Sequence, residues 1–77
     1  MDKQSFYTEL YEEIEIESVS IINDQTVYKE LEEWDSMTSM IIIGFFNQNF
    51  RTVLTADDLE SNVTFGDLIA SKGIILD

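Results

Sequence analysis

The chain is predicted to fold as a small all-α bundle of four helices, three longer and one short, with a long loop after the first. Three observations predict it. Residues 3–16 carry apolar side chains at helical spacing, with Phe6, Leu10 and Ile14 recurring at every fourth position. Residues 36–50 form a run rich in Ile, Phe and Met without one charged side chain. Two stretches open with a threonine three residues ahead of an aspartate, Thr55 with Asp58 and Thr64 with Asp67, a helix-start pattern.

A chain of 77 residues makes a single domain, here 1–77. A body this small buries only ~60% of its unfolded surface. The sequence has no Cys, so no disulfide supports it. Its core is therefore ordinary apolar packing, which 44% hydrophobic residues with five Phe, three Tyr and one Trp can supply.

The first helix is expected over residues 3–16. Phe6, Leu10 and Ile14, widened by Tyr7 and Tyr11, form its inner stripe, and Glu9, Glu12, Glu13 and Glu15 the outer one. Asp2 is placed to cap it. Residues 17–35 read as an ordered loop pinned by Val19, Ile22, Val27, Leu31 and Trp34, with room for a short helical turn.

The second helix is expected over residues 36–50, capped by Asp35. It has more apolar positions than one buried face requires. If Ile42, Ile43 and Phe46 point inward, 100° per residue turns Met37, Met40, Ile41, Gly44 and Phe45 outward. Those five are the candidate partner-binding residues. A third, short helix follows Thr55 and ends near Ser61. A fourth follows Thr64 and runs to about Lys72, with Gly73 at the stop position.

Sixteen acidic and four basic residues give a net charge of −12. Nucleic acid is a poor partner for such a surface, because phosphate binding needs Lys and Arg. Basic patches on partner proteins suit it better. Neither Cys nor His is present, so thiolate and imidazole metal sites are excluded. Glu30, Glu32, Glu33 and Asp35 could hold a divalent ion weakly, although a solvated acidic loop is the plainer reading. The longest apolar run falls far short of the ~20 residues of a membrane span. Met1-Asp2-Lys3-Gln4 does not open a secretory signal. The expectation is a soluble, cytoplasmic monomer.

Ser36 is the chemically interesting residue. As an enzymic nucleophile it would need a base, and the sequence offers no His. No catalytic residue is therefore assigned, and the chain is expected not to be an enzyme. A covalent phosphate suits the position better, since a helix start presents free N–H groups and the positive end of a dipole. The competing reading is an acidic adaptor that binds a partner through the second helix and carries no prosthetic group.

Over essentially its whole length the chain resembles the acyl carrier proteins, the phosphopantetheine carriers. Their Asp-Ser-Leu motif is matched by Asp35-Ser36-Met37. Leu31-Glu32-Glu33-Trp34 is similar to the Leu-Glu-Glu-Trp of stand-alone carriers. Phe50, Leu54, Asp57, Asp58 and Leu59 resemble the segment after the second helix. Thr64, Phe65, Asp67, Leu68 and Ile69 resemble the start of the last.

The resemblance implies a function and a cofactor. A phosphopantetheinyl transferase would attach 4′-phosphopantetheine to Ser36, with Asp35 orienting the helix start and the transferase contact and Met37 anchoring the site. An acyl- or aminoacyl-loading ligase and downstream acyl-processing enzymes would then act on thioesters carried by the arm. Fatty-acid carriers bear acidic residues along the second helix. Here those positions correspond to Thr38, Ile41, Asn47, Gln48 and Asn49, and Arg51 stands where Gly is usual. These departures point to a specialised biosynthetic carrier, of the kind that serves surface-polysaccharide or secondary-metabolite pathways.

Overall fold

Each helix begins where a side chain takes up the free N–H groups of its first turn. The computed structural model describes residues 1–77. Helix α1 spans Lys3–Ile14, α2 Ser36–Phe50, α3 Ala56–Ser61 and α4 Phe65–Ser71. Asp2 caps α1 by accepting from the Ser5 N–H at 2.7 Å. Asp35 caps α2 in the same way through Thr38. Thr55 and Thr64 form full capping boxes with Asp58 and Asp67.

The helix ends show how the chain turns back. α1 stops two residues earlier than its apolar spacing suggests, because Glu15 takes the left-handed conformation at φ 60°. The Ile16 N–H then reaches the Tyr11 carbonyl and the Glu15 N–H reaches Glu12. This closing motif satisfies two end carbonyls and folds Ile16 back into the core, where it is buried. Gly73, at φ 66°, closes α4 by the same pattern through Ala70 and Ile69. Arg51, at φ 53°, ends α2 with a single bond to the Asn47 carbonyl.

The core gathers one face of every helix. Phe6, Leu10, Ile42, Phe46, Leu59, Phe65 and Leu68 are fully buried. Phe6 meets Phe45 and Phe46 edge-on, with ring centroids 5.5 and 5.7 Å apart. The long loop contributes to this core. Within it, Tyr28–Glu30 form one 3-10 turn, and the buried Tyr28 donates to the carbonyls of Leu59 and Asn62. Ile22 and Leu31 are buried as expected, whereas the Val19 side chain is 38% exposed and the residue holds the loop only through its carbonyl, which accepts the Tyr11 hydroxyl at 2.6 Å. A single antiparallel bridge, Val27 with Thr64, ties the loop to the start of α4.

The rotation of α2 differs from the expectation most clearly at Phe45. Phe45 is not an outward, partner-facing residue: it is buried at 7% exposure against Phe6. Ile43, expected inward, is partly buried and packs against the core. The inner face is therefore Thr38, Ile42, Phe45 and Phe46. Thr38 does not occupy a surface position either, since it is 5% exposed. The inward placement of Phe45 goes with α1, whose Phe6 ring meets both Phe45 and Phe46 edge-on.

Candidate functional site

Ser36 opens α2 and is exposed. Its carbonyl accepts the Ser39 hydroxyl at 2.9 Å, while its own hydroxyl makes no hydrogen bond within the protein. The residues that follow on the same face are also open. Met37 is 70% exposed, Met40 71%, and Gly44 is exposed one turn further on. Ile41 is half-buried and packs against the core, so it contributes only an edge to this surface. Of the five residues expected to face partners, the structure places Met37, Met40 and Gly44 on the open surface, Ile41 at its border and Phe45 inside.

Asp35 is the residue most tightly engaged with the helix start. Its Oδ1 accepts the Thr38 N–H at 2.7 Å, and its carbonyl accepts from Ser39 at 3.1 Å. The Thr38 bonds, with a smaller contribution from the Met37 N–H, hold its carboxyl below the usual range. A carboxylate thus already occupies part of the anion-binding end of α2. The free N–H groups expected to favour a phosphate on Ser36 are fewer than the sequence alone suggests.

The acidic loop before Ser36 is solvated at Glu30 and Glu32, which are exposed, but not at Glu33. Glu33 reaches across to the segment after α1. Its carboxylate accepts the Glu17 N–H at 3.0 Å, the Ser18 N–H at 2.9 Å and the Ser18 hydroxyl at 2.6 Å. The Ser18 hydroxyl and then the Glu17 N–H lower its pKa from 4.5 to about 2. On the backbone, the Glu33 carbonyl accepts the Thr38 hydroxyl at 2.6 Å. Trp34, next along, is half-buried with its ring 5.4 Å from that of Tyr28. No group of three or more carboxylates in the protein is arranged to hold a metal ion. Glu30, Glu32, Glu33 and Asp35 therefore do not form the weak divalent site considered from sequence.

Three of the four basic residues are already paired. Lys3 binds Asp24 at 2.7 Å, Lys72 binds Asp58 at 2.8 Å and Lys29 meets Glu60 at 3.3 Å. Arg51 lies at the far end of α2 from Ser36. A helix of this length separates the two by roughly 20 Å. None of the four is placed as a base for the Ser36 hydroxyl. A groove of about 500 Å³ runs between α1 and residues 20–25, and no residue of α2 lines it. Its Tyr7 hydroxyl and Lys3 amine are both held by Asp24.

The sequence reading missed Glu33, Thr38 and Tyr28 as organisers of this region. Glu33 and Ser18 are 15 residues apart across an aperiodic loop, so no spacing rule connects them. No helix is long and apolar enough to cross a membrane. Comparison with protein-family models, curated proteins and solved structures returned no match.

Proposed function

We propose that this domain is a carrier whose Ser36 accepts 4′-phosphopantetheine from coenzyme A. The observation that carries the reading is the Ser36 hydroxyl: exposed, without an internal hydrogen bond, and fixed at the first position of a capped helix. A transferase needs such a hydroxyl to be reachable and its backbone to be held. Met37 and Met40 lie exposed beside it, flexible apolar side chains that suit contact with several enzymes.

In the attachment step the Ser36 oxygen would attack the phosphorus that bears the pantetheine. An oxygen–phosphorus bond forms, the pyrophosphate bond breaks, adenosine bisphosphate leaves, and the serine proton passes to a base of the transferase. When bound, the arm supplies a thiol that holds acyl or aminoacyl groups as thioesters. Asp35 keeps the helix start closed, and Met37, Met40 and Gly44 offer an uncharged docking surface. The chain itself catalyses nothing in this reading. It would work in the cytoplasm as a monomer, meeting a transferase, a loading ligase and acyl-processing enzymes in turn.

The test is the intact mass of the apo protein after incubation with coenzyme A, magnesium and several broad-specificity transferases. A gain of one phosphopantetheinyl group, lost in Ser36→Ala with helicity unchanged, is the expected result. Absence of the gain with every transferase would favour an adaptor that docks through the same uncharged face.

A further inference from the structure

We propose that Glu33 is a positioning residue for Ser36, an inference that rests on reading Ser36 as the attachment point. Three donors converge on its carboxylate from Glu17 and Ser18, all within 3.0 Å. The same residue accepts the hydroxyl of Thr38 on its backbone carbonyl. Thr38 in turn is buried and donates its N–H to Asp35. Ser36 therefore lies on a six-residue stretch, 33–38, that is fixed at both ends. One end is tied to the loop after α1 by the Glu33 carboxylate, and the other is sunk in the core at Thr38.

The arrangement exceeds what solubility requires. A carboxylate that only kept the surface charged would remain free in water, as a residue with no internal partner does. Here both oxygens are engaged, and charge-assisted bonds to backbone N–H groups are among the stronger of their kind. The bonds join segments 15 or 16 residues apart, so they set the position of one loop against another and not a local turn. Trp34 supplies an apolar anchor against Tyr28 beside this ionic one. With Trp34 intact, loss of the Glu33 carboxylate should loosen the Ser36 stretch without unfolding the core.

The experiment compares apo wild type with Glu33→Ala, Glu33→Gln, Ser18→Ala and Glu13→Gln. Glu13 is an exposed acid of α1, so its variant controls for the lost charge alone. Loading of Ser36 by a phosphopantetheinyl transferase is followed by intact mass well below each melting temperature. In parallel, amide hydrogen exchange is read by NMR without transferase. Glu33→Ala is expected to lower kcat for loading on the order of tenfold or more, with KM within about twofold, since misplacement of a reacting group acts on the bound step. The Thr38 and Ser39 amides should exchange faster, whereas those of α4 stay unchanged. Glu33→Gln, which keeps one acceptor oxygen, and Ser18→Ala should fall between, and Glu13→Gln should match the wild type.

Wild-type kcat in Glu33→Ala, with the wild type itself loaded, overturns the inference and leaves the attachment reading standing. A wild type that no transferase loads overturns the attachment reading, and the inference with it. If Glu33→Ala does not fold, Glu33→Gln and Ser18→Ala decide by the same readouts.

Discussion

The acidic loop before α2 and the outer face of α2 invert each other's chemistry. The loop is rich in carboxylates, yet Glu33 is bound by three donors and Tyr28, Leu31 and Ile22 are buried. The outer face of α2 is uncharged, yet Met37 and Met40 are about 70% exposed. One carboxylate, Glu33, holds the loop to the body of the domain, whereas the exposed methionines of α2 leave their surface open. The carrier function proposed for Ser36 would need both: a stationary serine and a surface that partners can cover without displacing ions.

The largest effect separates the two faces of α2. Phe46 is fully buried and packs on Phe6 and Phe50. Phe46→Ala should destabilise by about 3–5 kcal/mol, enough to unfold much of so small a domain. Met40→Ala, on the open face of the same helix, should change stability by less than ~0.5 kcal/mol. Urea denaturation measures both, and similar losses for the two would show that α2 is not two-sided.

A smaller effect tests whether the loop is part of the core. Tyr28 donates to the Leu59 carbonyl at 2.6 Å and to Asn62 at 2.9 Å, across 31 and 34 residues. Burial, with the nearby negative charges of Asp67, Glu60 and Asp58, pushes its phenol up to about 12. Tyr28→Phe keeps the ring and removes only these bonds, so a loss of about 1–3 kcal/mol is expected from two carbonyls left without a donor. An unchanged denaturation midpoint would make the loop a passive cover.

The helix pattern was legible in the sequence because its signals are local. Phe6, Leu10 and Ile14 repeat along one face, and Thr55 and Thr64 announce their helices three residues ahead. The placement of Ser36 at a helix start followed from Asp35 in the same way. Which side of α2 faces inward was not local: it depends on where Phe6 sits, and α2 is apolar on too many sides to choose for itself. Glu33 was illegible for a related reason. A carboxylate reads the same whether it is solvated or holds Ser18, and only the folded loop brings the two together.

Acid should weaken the loop before it reaches the core. Folding lowers the Glu33 pKa from 4.5 to about 2. Its contribution is fully present above 4.5 and is lost as pH falls through about 2, once the folded state also takes up the proton. Asp2, Asp24, Asp35 and Asp58 are lowered too, and act in the same direction. Relief of the −12 net charge acts the other way. The comparison that isolates Glu33 is wild type against Glu33→Gln. Their difference in melting temperature should shrink steadily from pH 5 to 2, and a constant gap would assign the loop's order to Trp34 and Tyr28 alone.

The smallest effect concerns the open face itself, and its sign is the informative part. Gly44 lies inside α2, where glycine costs ~1 kcal/mol relative to alanine. A methyl group added there would meet nothing within 4 Å. Gly66 is different, because a methyl group on it would sit 2.8 Å from the Asp24 carbonyl. The fold therefore requires a glycine at 66 and does not require one at 44. Gly44→Ala should raise stability by up to ~1 kcal/mol, which in a domain of this size corresponds to a melting temperature higher by about 4–8 °C. If the open face serves partners through close approach to the α2 backbone, the same substitution should slow loading of Ser36 while stabilising the protein, because the added methyl group keeps an approaching surface off the backbone at 44. Greater stability with unchanged loading would confine docking to Met37 and Met40, nearer the serine.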